Sequence, residues 1–147
     1  MLPGKILVAS DFSDTARVAA DWATDFARAL GAKLVVVHVF DMPVVGLPDA
    51  AFIVDAKTAA RLSEQAQRGL DAEMARLRAL GAEVEAGLLR QGDARDVIPK
   101  AAESEGAGLV VIGSHGRRGL SRALLGSVAE SIVRSSSVPV VVVRKPA

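Results

Sequence analysis

The chain has 147 residues, a formal net charge of +1 at pH 7 and a hydrophobic content of 50%. It contains no cysteine, which excludes disulfides, thiol catalysis and zinc–thiolate or iron–sulfur sites and suits a reducing compartment. The balanced charge and the aromatic content of 3% argue against a nucleic-acid partner. No apolar run approaches the roughly 20 residues of a membrane span, and the N-terminus does not resemble a signal peptide. We therefore expect a single cytoplasmic domain over residues 1–147 with no membrane partner.

The first 40 residues predict a strand, a helix and a second strand. Lys5–Ser10 and Lys33–Phe40 are apolar on both faces, as in parallel strands covered on both sides. Between them, Ser13 is the expected N-cap of a helix and Gly31 its C-terminal stop. Apolar side chains at every fourth position form its expected buried face: Val18, Trp22, Phe26 and Leu30.

The middle of the chain predicts a long irregular connection followed by a helix and a strand. Residues 41–55 contain two prolines and a glycine, which are typical of loops. A helix is expected over about residues 57–80, and Gly81 ends it. Residues 82–90 then form a third strand.

The last third of the chain completes the alternation. Asp93 is the expected cap of a short helix, in which Pro99 is expected to produce a kink. A buried strand over 108–113, a helix over 127–137 and a final strand over 138–145 follow. Alternation of this kind predicts an α/β fold, with one open five-stranded parallel sheet in the order 3-2-1-4-5 and helices on both faces.

The segment from Gly113 to Ser127 is the most informative part of the sequence. Gly113 and Gly116 turn the chain away from a buried strand, and Gly126 and Ser127 return it at the start of a helix. A helix N-terminus concentrates unpaired N–H groups and positive dipole, so the segment predicts an anion site. The basic residues of the segment could add charge to it: Arg117, Arg118 and Arg122.

Simpler interpretations remain open beside this one. Ser127 with Glu130 has the pattern of a capping box, which would need no ligand. Asp11 could bind a ribose hydroxyl or Mg²⁺, or it could merely begin the following helix. His115 could contact a ligand or only pack within its loop. The fingerprints of P-loop and Rossmann nucleotide sites are absent.

The predicted topology places two polar segments across one crevice. Ligands of open α/β sheets bind beyond the carboxyl ends of the strands, where the strand order reverses. Here the strands on either side of that point end in Ala9–Asp11 and in Ile112–Gly116.

The whole chain resembles the universal stress protein family. The resemblance is carried by "ILVASDFSDTA", "VVVHVFD" and "LVVIGSHGRRGLSRALLGSVAESIVRSSSVPVVVVR", and the glycine spacing matches the ATP-binding subgroup. It implies an adenine nucleotide alpha hydrolase-like fold, with one set of residues on the adenine and ribose side: Ala9, Ser10, Asp11 and Val39. It implies a second set around ribose and phosphates: Ile112, Gly113, Ser114, His115, Gly116, Gly126, Ser127, Val128 and Ala129. Ala129 stands where some members carry a hydroxyl residue, and alanine cannot make the phosphate contact that a hydroxyl would.

The resemblance implies a dimeric stress-response protein that binds ATP with Mg²⁺ and acts through its nucleotide state. AMP or a cyclic nucleotide would fit the same motif, and the sequence does not distinguish them. A slow ATPase and an interaction scaffold with an empty site are the alternatives. The apolar final strand, Val138–Val143, would lie at a sheet edge, and pairing with a second copy would cover it.

Overall fold

The computed structural model of the chain describes residues 1–41, 44–47, 50–53, 55–115 and 124–146. Along these residues the backbone forms seven strands and four helices. In chain order they are β1 (Lys5–Ala9), α1 (Asp14–Leu30), β2 (Lys33–Phe40), β3 (Val44–Leu47), β4 (Ala50–Ile53), α2 (Ala56–Ala79), β5 (Val84–Gln91), α3 (Ala94–Glu105), β6 (Leu109–Gly113), α4 (Ser127–Ser135) and β7 (Val140–Val143).

Five parallel strands form the main sheet, in the order β5-β2-β1-β6-β7. Counted along the chain, the strands of this sheet have the order 3-2-1-4-5, so the predicted topology is confirmed. At the centre, Ile6 of β1 pairs with Leu34 on one side and with Leu109 on the other. Helices α1 and α2 cover one face, and α3 and α4 cover the other.

Two apolar cores result, because successive residues of a strand point to opposite faces of the sheet. Ile6 and Val8 pack under α1 and α2, whereas Leu7 packs under α3 and α4. All three side chains have no exposed surface. Full burial of such a side chain contributes about 1.5–3 kcal/mol, so β1 anchors both halves of the molecule.

Helix α1 packs on the sheet through small residues. The prediction that its larger apolar side chains form the buried face is wrong. Its buried residues are Ala16, Ala19, Ala20, Ala23, Thr24 and Ala27. Trp22 is 37% exposed and stacks on Phe26 with ring centroids 4.9 Å apart. Alanines let the helix axis approach the sheet closely, and the larger side chains lie along the flank, where Phe26 and Leu30 only border the core.

The region predicted to be irregular contains a hairpin. Val44–Leu47 pairs antiparallel with Ala50–Ile53, in a register that places Val45 opposite Phe52. Apolar and aromatic residues flank a proline–aspartate pair in this part of the sequence, which is a pattern typical of two strands joined by a turn. The two prolines of the region led the prediction away from strands.

An ion-pair network centred on Arg76 joins α2 to α1. Glu73 is 5% exposed, and both of its carboxylate oxygens accept hydrogen bonds from Arg76, at 2.7 and 2.9 Å. Arg76 also donates to Asp21 of α1. The hydrogen bond to Glu73, and to a smaller extent that to Asp21, holds the pKa of Arg76 above its usual range.

No helix within the described residues has both the length and the apolar character needed to cross a membrane.

Helix α3 begins at a charged cap. The side chain of Asp93 accepts the Arg95 amide at 2.9 Å, and the Arg95 guanidinium donates to both carboxylate oxygens. The Arg95 side chain, followed by its backbone amide, lowers the pKa of Asp93 to about 2. Pro99 lies inside this helix, and Gly106 ends it with a left-handed φ of 65°.

The Asp93 cap makes stability depend on pH in the acid range. The folded pKa of about 2 lies below the unfolded value of about 3.9, so the stabilisation is present above about pH 4 and is lost as pH falls toward 2. Asp93→Asn retains a cap oxygen and removes the charge. We expect its Tm to lie below that of the wild type at about pH 5 and the two values to converge near pH 2. A Tm difference independent of pH would contradict this assignment.

Candidate functional site

A cavity of about 610 Å³ opens where the carboxyl ends of β1 and β6 lie side by side. This size is within the range of small-molecule sites. The chain leaves β1 for the α1 face and arrives at β6 from the α3 face, so the cavity is at the point where the strand order reverses. The residues that line it are Ala9, Ser10, Asp11, Ala16, Val37, Val39, Ala94, Ile98, Ile112, Gly113, Ser114, His115, Gly126, Ser127, Val128 and Ala129.

The wall that follows β1 is held by hydrogen bonds to its own backbone and to β2. The Ser10 amide donates to the Val37 carbonyl at 3.0 Å, and Ser10 is 4% exposed. An Asp11 carboxylate oxygen accepts the Ser13 amide at 3.0 Å. Asp11 is therefore a carboxylate of defined orientation at the cavity rim, and it also supports the start of α1.

The opposite wall joins β6 to the start of α4. The Ser114 carbonyl accepts the Gly126 amide at 2.8 Å, and the Ser114 amide donates to Val143 at 2.8 Å. A Cβ atom at Gly126 would lie 2.8 Å from the same Ser114 oxygen, so only glycine allows this approach. Ser114 is 2% exposed, and its Oγ lies 3.0 Å from Nδ1 of His115.

Helix α4 begins at Ser127, one residue earlier than it would if Ser127 were its N-cap. Its N-cap is Gly126, and Ser127 is the first helical residue, so the predicted capping box is wrong. Glu130 bonds to Arg134 at 2.6 Å on the exposed face. A glycine cap has no side-chain acceptor, so Gly126 itself leaves the first N–H groups of α4 uncapped, and the residues that carry these groups line the cavity: Ser127, Val128 and Ala129.

The remaining wall is apolar and comes from β2 and α3. Val37 and Val39 alternate along β2 and face the cavity on the side of α3 and α4. Ala94 and Ile98 are one turn apart on α3 and complete this wall. The sequence analysis missed these two α3 residues, as well as Ala16 and Val37. Alternate residues of a strand share one face, so the prediction of Val39 could have identified Val37 as well. No local feature of the sequence indicated which face of α3 meets the site.

Every predicted site residue within the described ranges lines the cavity. Gly116 and Arg117, together with Arg118 and Arg122, lie outside the described residues. Among the described residues there is no cluster of three or more histidine, cysteine or acidic side chains that could hold a metal ion.

The family model described as the universal stress protein family matches residues 3–144. The chain belongs to the universal stress protein family. A curated relative, the universal stress protein MJ0531 of Methanocaldococcus jannaschii, is 33% identical over 144 residues, which cover 97% of this chain and 82% of that protein. The family resemblance deduced from the sequence is therefore confirmed.

Two solved structures of universal stress proteins contain nucleotides. One, from Archaeoglobus fulgidus, is in complex with dAMP and has 26% sequence identity and a TM-score of 0.68, covering 97% of this chain and 99% of that one. Another is in complex with cAMP and has 25% identity and a TM-score of 0.71, with 98% of each chain covered.

The close approach at Gly126 can be tested by its effect on stability. Gly126→Ala places a Cβ against the Ser114 carbonyl, and we expect it to lower the free energy of unfolding by about 1–3 kcal/mol. Gly4→Ala is the matched control, because a Cβ at Gly4 meets no atom within 4 Å, and it should change stability by less than about 0.5 kcal/mol. Chemical denaturation measures both, and equal stabilities would show that the two backbone segments separate readily.

Proposed function

We propose that this universal stress protein binds an adenine nucleotide in the cavity between β1, β6 and α4. We further propose that the ligand is ATP with Mg²⁺ and that the protein acts as a homodimer through its nucleotide state. The nucleotide is then a regulatory ligand.

The observation that carries the proposal is the start of α4. Its first residues, Ser127, Val128 and Ala129, line the cavity behind a glycine cap, at the positive end of the helix dipole, where helix N–H groups lack intrahelical acceptors. An anion is the ligand that such a group of donors favours. The Gly126–Ser114 hydrogen bond holds the helix start against β6, so the donors are positioned before any ligand arrives.

The chemistry of the other walls supports a nucleoside attached to that anion. Val39, Ile98 and Ala94 offer an apolar slot for a planar base. Asp11 and Ser10 follow β1, which lies between β2 and β6 in the sheet, and they offer oxygen acceptors to ribose hydroxyls. The cavity volume of about 610 Å³ is large enough for a nucleotide of this kind. The dAMP and cAMP complexes of the two relatives agree with the same ligand class.

Mg²⁺ would enter with the phosphates. Mg²⁺ in nucleotide sites is held by phosphate oxygens and one or two carboxylates and retains several waters. Asp11 is the carboxylate that lines the cavity within the described residues, so it is the side chain proposed to meet the ion or its waters.

Ser127 provides a test that spares the fold. Ser127→Asp puts a carboxylate at the first position of α4, where it repels phosphate but favours the helix dipole. We expect at least a tenfold loss of affinity for ATP with Mg²⁺, about 1.4 kcal/mol, with the Tm unchanged or slightly raised. Calorimetric titration and a thermal melt measure the two quantities.

Ser131→Asp is the control for this experiment. It adds the same charge one turn later on α4, outside the lining of the cavity. An equal loss of affinity in both variants would assign the effect to long-range charge and remove α4 as the phosphate site. Titration with AMP and cAMP identifies the preferred nucleotide. Phosphate release at the roughly 1–10³ s⁻¹ usual for enzymes would instead favour the ATPase alternative.

The dimer is proposed at β7. This strand is at the edge of the sheet and consists of four valines, all of them only half-buried. The other edge strand, β5, carries Glu85, Arg90 and Gln91, which make it a poorer surface for pairing. An apolar edge with unpaired backbone groups favours antiparallel pairing with a second copy about a two-fold axis.

The register of β7 identifies the residue to mutate. Pro139 and Val143 use their carbonyls to bond to β6, so by alternation Val140 and Val142 direct their N–H groups to the open edge. Val142→Pro therefore removes an outward donor and should convert a dimer of about twice 15.3 kDa into a monomer. Val142→Ala keeps that donor and should remain dimeric. Light scattering at tens of micromolar distinguishes the two states, and a monomeric wild type would refute edge pairing.

A further inference from the structure

His38 lies between two residues of the cavity wall but on the opposite face of the sheet. Val37 and Val39 line the cavity, and the imidazole of His38 points toward the α1 and α2 side. His38 is 8% exposed, and its Nδ1 lies 2.7 Å from the Ser10 carbonyl oxygen. A carbonyl can only accept a hydrogen bond, so the imidazole carries a proton on Nδ1 and donates it to Ser10.

Phe12 adds a second contact at the same turn. Its φ of 64° is left-handed, the only such value for a non-glycine residue in the described part of the chain. Its amide donates to Ser10 Oγ at 3.1 Å, and its ring stacks on the His38 ring at 4.2 Å. A bulky residue adopts this conformation only where its surroundings impose it, and such residues concentrate at functional sites.

Helix α2 also contacts the Phe12 ring. A Cβ atom at Gly69 would lie 2.7 Å from Cε2 of Phe12, so the helix approaches the ring closely because this residue is glycine. The turn that carries Ser10 and Asp11 is thus fixed by β2 and α2, from the face of the sheet remote from the cavity.

We propose that His38 and Phe12 are positioning residues for the nucleotide site. His38 restrains the Ser10 carbonyl, Phe12 contacts both His38 and Gly69, and together they set the position of Ser10 and Asp11 at the cavity. Neither residue lines the cavity itself. The inference rests on the proposed nucleotide function for its ligand, but the restraint on the turn can be measured without any ligand.

Two variants of His38 separate its hydrogen bond from its ring. His38→Asn places an amide N–H two bonds beyond Cβ, as Nδ1 is, and so retains the donor to Ser10 without the ring. His38→Phe retains an aromatic ring against Phe12 and loses the donor. We expect His38→Phe to weaken binding of ATP with Mg²⁺ about five- to tenfold, and His38→Asn to stay within about threefold of the wild type.

Amide hydrogen exchange of the nucleotide-free proteins tests the restraint directly. In His38→Phe the Phe12 and Ser13 amides, which bond within the turn, should exchange about tenfold faster, and the Gly126 amide should not change. His38→Asn should restore slow exchange. Unchanged exchange of Phe12 and Ser13 would overturn the proposal whether or not the protein binds nucleotide.

Gly69→Ala perturbs the same turn from α2 and does not alter His38. Alanine favours the helix, so the fold should be retained, while its Cβ displaces the Phe12 ring. We expect faster exchange at Phe12 and a several-fold loss of affinity. Faster exchange with unaltered affinity would overturn the link to the nucleotide. Faster exchange in a protein whose wild type binds no nucleotide would support the restraint on the turn and reject the proposed function.

Discussion

The side-by-side pairing of β1 with β6 is the constraint on which the rest of the molecule depends. Ile6, Leu7 and Val8 pair in parallel with Leu109, Val110 and Val111, so both strands end at the same edge of the sheet. The chain leaves β1 toward α1 and leaves β6 toward α4, on the opposite face. Two strands that diverge in this way cannot cover the gap between their ends. The cavity is therefore a consequence of the topology, and its polar groups come from the residues that follow each strand.

A single backbone contact then determines what the gap can bind. The hydrogen bond from Gly126 to the Ser114 carbonyl brings the start of α4 against the end of β6. The contact requires glycine on one side, and the same glycine supplies no side-chain acceptor to the helix start. The close approach and the lack of an acceptor on the cap residue are thus two results of one residue. A serine or aspartate cap would satisfy the helix internally and would compete with a phosphate.

The strands of the sheet could be predicted because their apolar runs are continuous. The residues that follow two of these strands were then predicted to form the site. Ala9–Asp11 and Ile112–Gly116 were predicted to be neighbours from strand order alone, and the structure brings the described residues of both segments together at the cavity. Prediction failed where small residues make the contacts. Alanine is only weakly hydrophobic, so the buried alanines of α1 stand out little in the sequence. Trp22 and Phe26 are strongly hydrophobic and dominated the predicted apolar face, but they lie at the flank of the helix. Ala94 and Ile98 were missed because their role depends on how α3 crosses the sheet, and this is a property of packing.

Side chains of β2 alternate between the two faces of the sheet, and this alternation connects the cavity to the core on the opposite face. Val37 and Val39 meet the cavity, while His38 between them meets Ser10 and Phe12 on the far side. Since Phe12 also contacts Gly69 of α2, the turn that carries Asp11 is in contact with a helix on the face of the sheet remote from the cavity. Rigid packing transmits small displacements, so a change in α2 can reach the cavity side of the sheet without touching the cavity. By the same reasoning, a ligand that orders the Ser10–Asp11 turn would stabilise the packing of α2, which would give the proposed nucleotide a physical route to the outer surface of the protein.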